Sequence, residues 1–168
     1  MTPPARPLAR RILRYLGLAL AGLLVLVLVG AGYVFIAGGR ALEASYDGPG
    51  HDLTLPTDSA AIAEGGRLAR LWGCLGCHDR DGSGGVFVET PVGDRIVAPN
   101  LTRVVREYSV AELERAIRHG TAPDGRGLII MPSPMFAEAS DEDVAKVIAH
   151  LRTLEPVPDT LPGTRIGL

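Results

Sequence analysis

A chain of 168 residues holds one compact domain and a short additional segment, and is too short for a two-domain enzyme. Hydrophobic residues make up 46% and charged residues 21%, which excludes a disordered chain. With 17 Lys and Arg against 19 Asp and Glu, the net charge is −2, and no basic excess points to a nucleic-acid partner. Cys74 and Cys77 are the whole thiol inventory, so a multi-disulfide scaffold is excluded.

The charge is unevenly placed. Arg6, Arg10, Arg11 and Arg14 precede an uncharged run from Tyr15 to Ala37, whereas residues 38–168 carry a formal charge of −6. As a helix that run is about 35 Å long, enough to cross a hydrocarbon core of about 30 Å. Arginines on its N-terminal side predict a cytoplasmic basic segment over 1–14, a single transmembrane helix over 15–37 and an exported C-terminal part. A cleaved signal peptide has a shorter apolar stretch, about 7–15 residues, and Ala41-Leu42-Glu43-Ala44 matches its cleavage site poorly. The expectation is a retained anchor in the inner membrane with the domain on the periplasmic side.

Residues 38–57, rich in Gly, Pro and Asp, read as a linker. Ile62, Gly65, Gly66, Ala69 and Trp72 recur at helical spacing and predict a helix from Ser59 to Gly73, with small residues that would admit a close neighbour. Residues 79–108 are dense in Gly and Pro and predict an irregular loop, within which Val86–Val88 and Arg95–Val97 could pair briefly. Ser109-x-x-Glu112 is a capping-box signature that opens a short helix ending at Gly120, and Ser140-x-x-Asp143 repeats the start signal. Val144, Val147, Ile148, Leu151 and Leu154 then form a helical stripe that stops before Pro156 and Pro158, and an extended tail over 159–168 follows.

Cys74-Leu75-Gly76-Cys77-His78 has the Cys-x-x-Cys-His spacing of covalent haem attachment. Two sulfurs three residues apart can each form a thioether with one haem vinyl group while the next imidazole reaches the iron. A dithiol redox motif would need a βαβ surround, and the pattern here is helical on both sides. A structural zinc would need four ligands and has no further cysteine to draw on, and a disulfide across two residues leaves His78 unexplained. Aromatic content is only 5%, so a haem would also supply apolar substance to a small core.

A low-spin haem needs a second axial ligand. Met131 follows the apolar run Leu128–Ile130 in a stretch between two predicted helices and is the candidate, with Met135 as the reserve. Thioether sulfur is a soft donor that favours ferrous iron. His119 stands at a helix C-terminus where an imidazolium is favoured, His150 lies on the last helix as a packing residue, and His51 falls in the linker. None of the three has a companion that would make a catalytic pair.

From about Gly65 to Pro158 the sequence resembles the class I c-type cytochromes, in particular the haem domains of the cytochrome subunits of membrane-bound alcohol and aldehyde dehydrogenases. The resemblance rests on CLGCH at 74–78, GG at 84–85, TPVG at 90–93, APNLT at 98–102, AIRHG at 116–120, DGRG at 124–127, MPSPMF at 131–136 and SDEDVAKVIAHLRTL at 140–154. It implies that Met131 is the distal ligand, that the Pro99 carbonyl orients His78, and that the first and last helices cross at Gly65 or Gly66. Such proteins commonly carry an aromatic where His150 stands, and the dehydrogenase subunits usually contain three haem motifs where this chain has one.

The expected architecture is therefore an all-α cytochrome c-like domain with long Gly/Pro-rich loops over 58–158, preceded by one transmembrane helix. The expected role is electron transfer by one covalent haem c and its iron, without substrate chemistry. Its partners would be redox proteins that donate and accept electrons, with no nucleic acid. The same features suit a haem c subunit fixed within a larger membrane oxidoreductase, and a haem-based ligand sensor is a further alternative. The acidic balance predicts attraction to basic redox partners that weakens with salt.

Overall fold

The computed structural model describes residues 6–46, 48 and 50–167. Residues 1–5 of the predicted basic segment, and 47 and 49 of the predicted linker, lie outside that set. The chain divides into two units, one ending at Glu43 and the other beginning at Ala44.

The first unit is one helix, α1 (Arg6–Glu43), with every large apolar side chain from Leu8 to Ile36 exposed along it. It outruns the apolar segment at both ends. Gly38 and Gly39 read as a breaker, yet Arg40, Ala41, Leu42 and Glu43 are good helix formers, and extending an existing helix is far easier than starting one. Six residues of the predicted linker are consequently helical.

The second unit is built on α2 (Ser59–Leu71) crossing α6 (Asp141–Leu151). The stripe of Val144, Val147 and Ile148 is fully buried, together with Leu68, Ala69, Val105, Leu113 and Leu151. The two glycines of α2 make the crossing close. A Cβ on Gly65 would collide with the Lys146 carbonyl, and one on Gly66 would lie 2.7 Å from Cε1 of His150. His150 thus packs its ring over a glycine at the position where an aromatic was expected.

Each principal helix starts on a side-chain cap. Asp58 accepts the Ala61 N–H at 2.8 Å at the head of α2, and Ser140 accepts that of Asp143 at 3.1 Å before α6. Ser109 and Glu112 form the reciprocal capping box of α5 (Val110–His119), which ends on Gly120. Such caps satisfy backbone donors that have no partner within the helix.

The expectation of an all-α domain is corrected in one place. β1 (Gly85–Glu89) and β2 (Arg95–Ala98) form an antiparallel hairpin in which Val86 faces Val97 and Val88 faces Ile96, so Phe87 is the extra residue of a bulge. The predicted loop also contains a helix, α4 (Leu101–Glu107), capped by Asn100. The pairing of Val86–Val88 with Arg95–Val97 expected from the sequence is present and slightly longer, whereas glycine and proline density concealed α4, because a two-turn helix gains its stability from non-local partners.

Both ends of this unit are tied down. Tyr46 donates its N–H to the Gly125 carbonyl at 2.8 Å, Arg115 reaches the Gly48 carbonyl at 3.3 Å, and the His51 N–H meets Oε2 of the fully buried Glu114 at 3.0 Å. At the other end, Arg165 exchanges both backbone hydrogen bonds with Arg95, at 2.6 and 2.7 Å, and the Thr164 hydroxyl accepts the Val97 N–H at 3.1 Å. The extended tail therefore lies along β2 on the edge away from β1.

Candidate haem site

After α2 ends at Leu71, Trp72 and Gly73 turn the chain into a single helical turn, α3 (Cys74–Cys77). That turn puts the two sulfurs on one short element, Cys74 partly buried against the core and Cys77 exposed, with both thiols free. Burial pushes the Cys74 thiol up to about 11, which keeps it protonated and unreactive as a bare dithiol nucleophile at neutral pH.

His78 follows directly. Its Nδ1 lies 2.8 Å from the Pro99 carbonyl. A carbonyl only accepts, so Nδ1 carries the proton and Nε2 carries the lone pair. Burial moves the imidazole below its ordinary value, with the Pro99 hydrogen bond opposing that shift. A neutral ring with one nitrogen engaged and the other free is the state that can ligate a metal.

The backbone around this contact is fixed from several directions. The Gly84 N–H donates to the His78 carbonyl at 2.8 Å, and the Leu101 N–H donates to that of Gly82 at 2.7 Å. Gly84 has φ +82, and a Cβ there would approach the Pro99 carbonyl carbon to 2.7 Å. A side chain at Gly84 would thus crowd the Ala98–Pro99 backbone that carries the acceptor for His78.

The methionine segment comes from the opposite direction. Gly120 ends α5, Leu128 N–H bonds back to its carbonyl at 2.7 Å, and Pro132 makes a tight reversal (φ −80, ψ 48) in which the Ser133 N–H reaches the Met131 carbonyl at 2.8 Å, the pattern of an inverse γ-turn. Ser133 is buried and donates its hydroxyl to the Ala116 carbonyl at 3.1 Å, tying this reversal to α5. Met131 packs against the core cluster alongside Trp72, Cys74, Leu75 and Leu101. Met135, in the 3-10 turn Ser133–Met135, is 78% exposed. The two candidate methionines are thereby separated: Met131 is partly buried against the core and Met135 faces solvent.

His119 is exposed at the end of α5 and His51 is exposed, and neither is part of this cluster. Asn100, Thr102 and Ser133 are buried polar groups beside the site that the sequence reading did not single out. Asn100 carries a recognisable signal, since Asn directly before an apolar helical segment is an N-cap. Ser133 carries none, because its partner is distant in sequence.

The donor set fits a covalently held haem. Two free thiols sit on one turn, the adjacent imidazole presents an unprotonated nitrogen, and a methionine joins an apolar surface that the protein itself leaves partly open, with Ile129 and Ile130 exposed beside it. Among the described residues, no cluster of three or more His, Cys, Asp or Glu offers an alternative metal site.

Comparison with known proteins agrees. The family model described as cytochrome c matches residues 62–155. The cytochrome c subunit of a quinone alcohol dehydrogenase from Gluconacetobacter polyoxogenes is 32% identical over 120 residues, 65% of this chain and 26% of that protein. The cytochrome c subunit of gluconate 2-dehydrogenase from Pantoea cypripedii is 34% identical over 101 residues, 55% of this chain and 23% of that protein. The fructose dehydrogenase cytochrome subunit of Gluconobacter japonicus is 32% identical over 127 residues, 67% and 26% of the two chains. The matched region thus spans about a quarter of the length of these relatives. With the family model covering more than half of its length, this chain belongs to the cytochrome c family, whose members carry out electron transfer with an iron-containing, covalently bound haem c.

Proposed function

We propose that the protein is a membrane-anchored monohaem cytochrome c in which Cys74 and Cys77 hold the haem through thioethers, His78 and Met131 are the axial ligands, and Pro99 orients His78. The observation that carries this reading is the His78 Nδ1–Pro99 hydrogen bond, which fixes the tautomer a proximal ligand needs. Exposure of Met135 favours Met131 as the sulfur donor.

When bound, haem c supplies one-electron exchange between ferric and ferrous iron. The chain's residues set the conditions for that exchange. His78 presents a neutral nitrogen backed by the Pro99 carbonyl, and Met131 supplies a soft donor that favours the reduced state. Trp72, Leu75 and Leu101 are partly buried against the core beside the motif and would give a bound haem apolar surroundings. The relatives are cytochrome subunits of dehydrogenases, which supports the role of an electron carrier.

The anchor reading assigns α1 to the inner membrane and residues 44–167 to its periplasmic side. α1 is long and apolar enough to cross a membrane, with basic residues at its N-terminal end. The cytochrome subunits among the relatives favour a place within a membrane dehydrogenase, receiving electrons from a catalytic chain and passing them to a further carrier.

The test is expression of the full chain in a host that matures c-type cytochromes, followed by an alkaline wash of the membranes and redox titration of the membrane-bound pigment. A colour retained by the membranes that titrates reversibly as a single one-electron couple is expected. A soluble pigment, or absence of a reversible couple, would overturn the assignment. Co-purification of a catalytic dehydrogenase chain in fixed ratio would place the protein in a complex.

A further inference from the structure

Pro99 cannot hold the His78 ring unless its own carbonyl is held, and the next residue shows how that is done. Asn100 and Thr102 are 0% and 1% exposed. The Asn100 amide Nδ2 donates to the Val157 carbonyl at 2.8 Å, and the Val157 N–H donates to the Thr102 hydroxyl at 3.0 Å. That hydroxyl in turn donates to Oδ1 of Asn100 at 2.6 Å, and the same oxygen accepts the Arg103 N–H at 3.3 Å. Two side chains thus take both polar groups of one peptide residue, in a closed ring of three hydrogen bonds, the Thr102–Asn100 bond buried and the two to Val157 part-buried.

The residue they grip belongs to the C-terminal tail, which in the structure starts after the turn ending at Leu154, earlier than the predicted 159, and it lies past the end of the family match at residue 155. The tail is itself anchored beyond the grip. Asp159 pairs with Arg103 at 2.8 Å, Leu161 packs over Gly84, and the Thr164 and Arg165 contacts tie it to β2. Val157 is therefore a fixed abutment for the corner that carries the Pro99 carbonyl.

We propose that Asn100 and Thr102 are positioning residues for the proximal histidine, with the tail at Val157 as the abutment, so that the strength of the His78–Pro99 hydrogen bond, and with it the redox potential, is set partly by the C-terminal tail. This rests on His78 being the proximal ligand. A shorter, straighter hydrogen bond at Nδ1 gives the imidazole more anionic character and stabilises ferric iron, so loosening the ring weakens that donation and raises the potential. A closed network around two buried side chains loses most when one member is removed.

The experiment uses the full-length holoprotein and three variants. Thr102→Val removes the hydroxyl and keeps the shape, Asn100→Asp keeps the acceptor for Thr102 and Arg103 but removes the donor to Val157, and Thr102→Ser keeps the hydroxyl and serves as rescue. Ser109→Ala, which breaks the α5 capping box away from the site, is the control for loss of stability alone. The readouts are the exchange rate of the His78 Nδ1 proton in the reduced protein, referenced to backbone amides of α2 and α6, and the midpoint potential.

Thr102→Val and Asn100→Asp are expected to speed Nδ1 exchange about tenfold relative to those amides, the equivalent of one net hydrogen bond, and to raise the potential, while Thr102→Ser and Ser109→Ala leave both near the parent values. Unchanged Nδ1 exchange and potential in Thr102→Val, or equal changes in Ser109→Ala, would overturn the proposal. Should Asn100→Asp fail to fold, the comparison of Val with Ser at position 102 decides alone. If the parent protein shows no ring-current-shifted His78 signal, the ligand assignment itself fails, an outcome distinct from failure of the positioning role.

Discussion

The ring of Phe136 stacks on that of Trp72, with centroids 5.2 Å apart and planes inclined by 25°. Phe136 is buried and lies five residues past Met131, while Trp72 lies two residues before Cys74. This pair joins the methionine segment to the cysteine motif in a domain whose last helix carries His150 where an aromatic was expected. Phe136→Ala is expected to cost about 3 kcal/mol of stability, as for other large truncations in a core, and to weaken the sulfur-to-iron charge-transfer band. Denaturant titration and the visible spectrum of the oxidised protein check the two effects. Retention of full stability would show that the stack does not bind the segments together.

The two methionines separate cleanly by exposure. Met131→Ala should abolish the charge-transfer band, since its side chain is partly buried against the core. Met135→Ala should leave the spectrum and the potential unchanged, because that side chain is 78% exposed. The reverse pattern would transfer the ligand role to Met135.

His150 gives the fold a pH dependence of defined sign. Burial against α2, reinforced by the charge of Arg70, lowers its affinity for a proton in the folded state. The unfolded chain therefore binds the proton first as pH falls, and stability decreases below the ordinary histidine value of about 6.5, down to the lowered folded value. Above about 6.5 this group adds no slope. Urea midpoints of the holoprotein should fall between about pH 7 and pH 5.5, and His150→Gln should remove part of that fall. An identical profile in the variant would contradict the assignment.

Glu114 is the buried charge that holds the segment leading into the domain. Its Oε2 accepts the His51 N–H at 3.0 Å, and its Oε1 lies 3.2 Å from Nε of Arg118, close enough for an ion pair but without a well-formed hydrogen bond. Glu114→Gln should leave Arg118 poorly compensated and cost about 3 kcal/mol, within the range for removal of one member of a buried pair. Arg118 keeps its 2.5 Å contact with Asp141, which limits the loss. Limited proteolysis should cut residues 44–57 sooner in the variant. Equal resistance of that segment in both proteins would argue that the contact is not what holds it.

Much of this organisation was legible because its causes are local. The Cys74–His78 motif, the Ser109–Glu112 capping box and the stripe from Val144 to Leu151 each depend on residues within a few positions of one another, and each is found in the structure where the pattern put it. The hairpin was legible only as a brief pairing of Val86–Val88 with Arg95–Val97, and α4 was hidden, because the partners that fix both are distant. β2 is flanked by β1 and by a tail some seventy residues away, and Asn100 is gripped by Val157. The linker misled for the opposite reason. Its Gly and Pro content suggests a free tether, whereas Tyr46, Gly48 and His51 each bond to α5 or the loop after it.

A porphyrin joined to the polypeptide through Cys74 and Cys77 is the feature on which every assigned role rests. Protein from a host competent in cytochrome c maturation should be denatured, extracted with acidified organic solvent and examined both by intact mass and by its spectrum in alkaline pyridine. The predicted result is a chain heavier by one haem, with a pyridine spectrum showing both vinyl groups saturated, and loss of that covalent mass in the Cys74→Ala, Cys77→Ala double variant. A parent chain of unmodified mass whose colour, if any, passes into the solvent would contradict it.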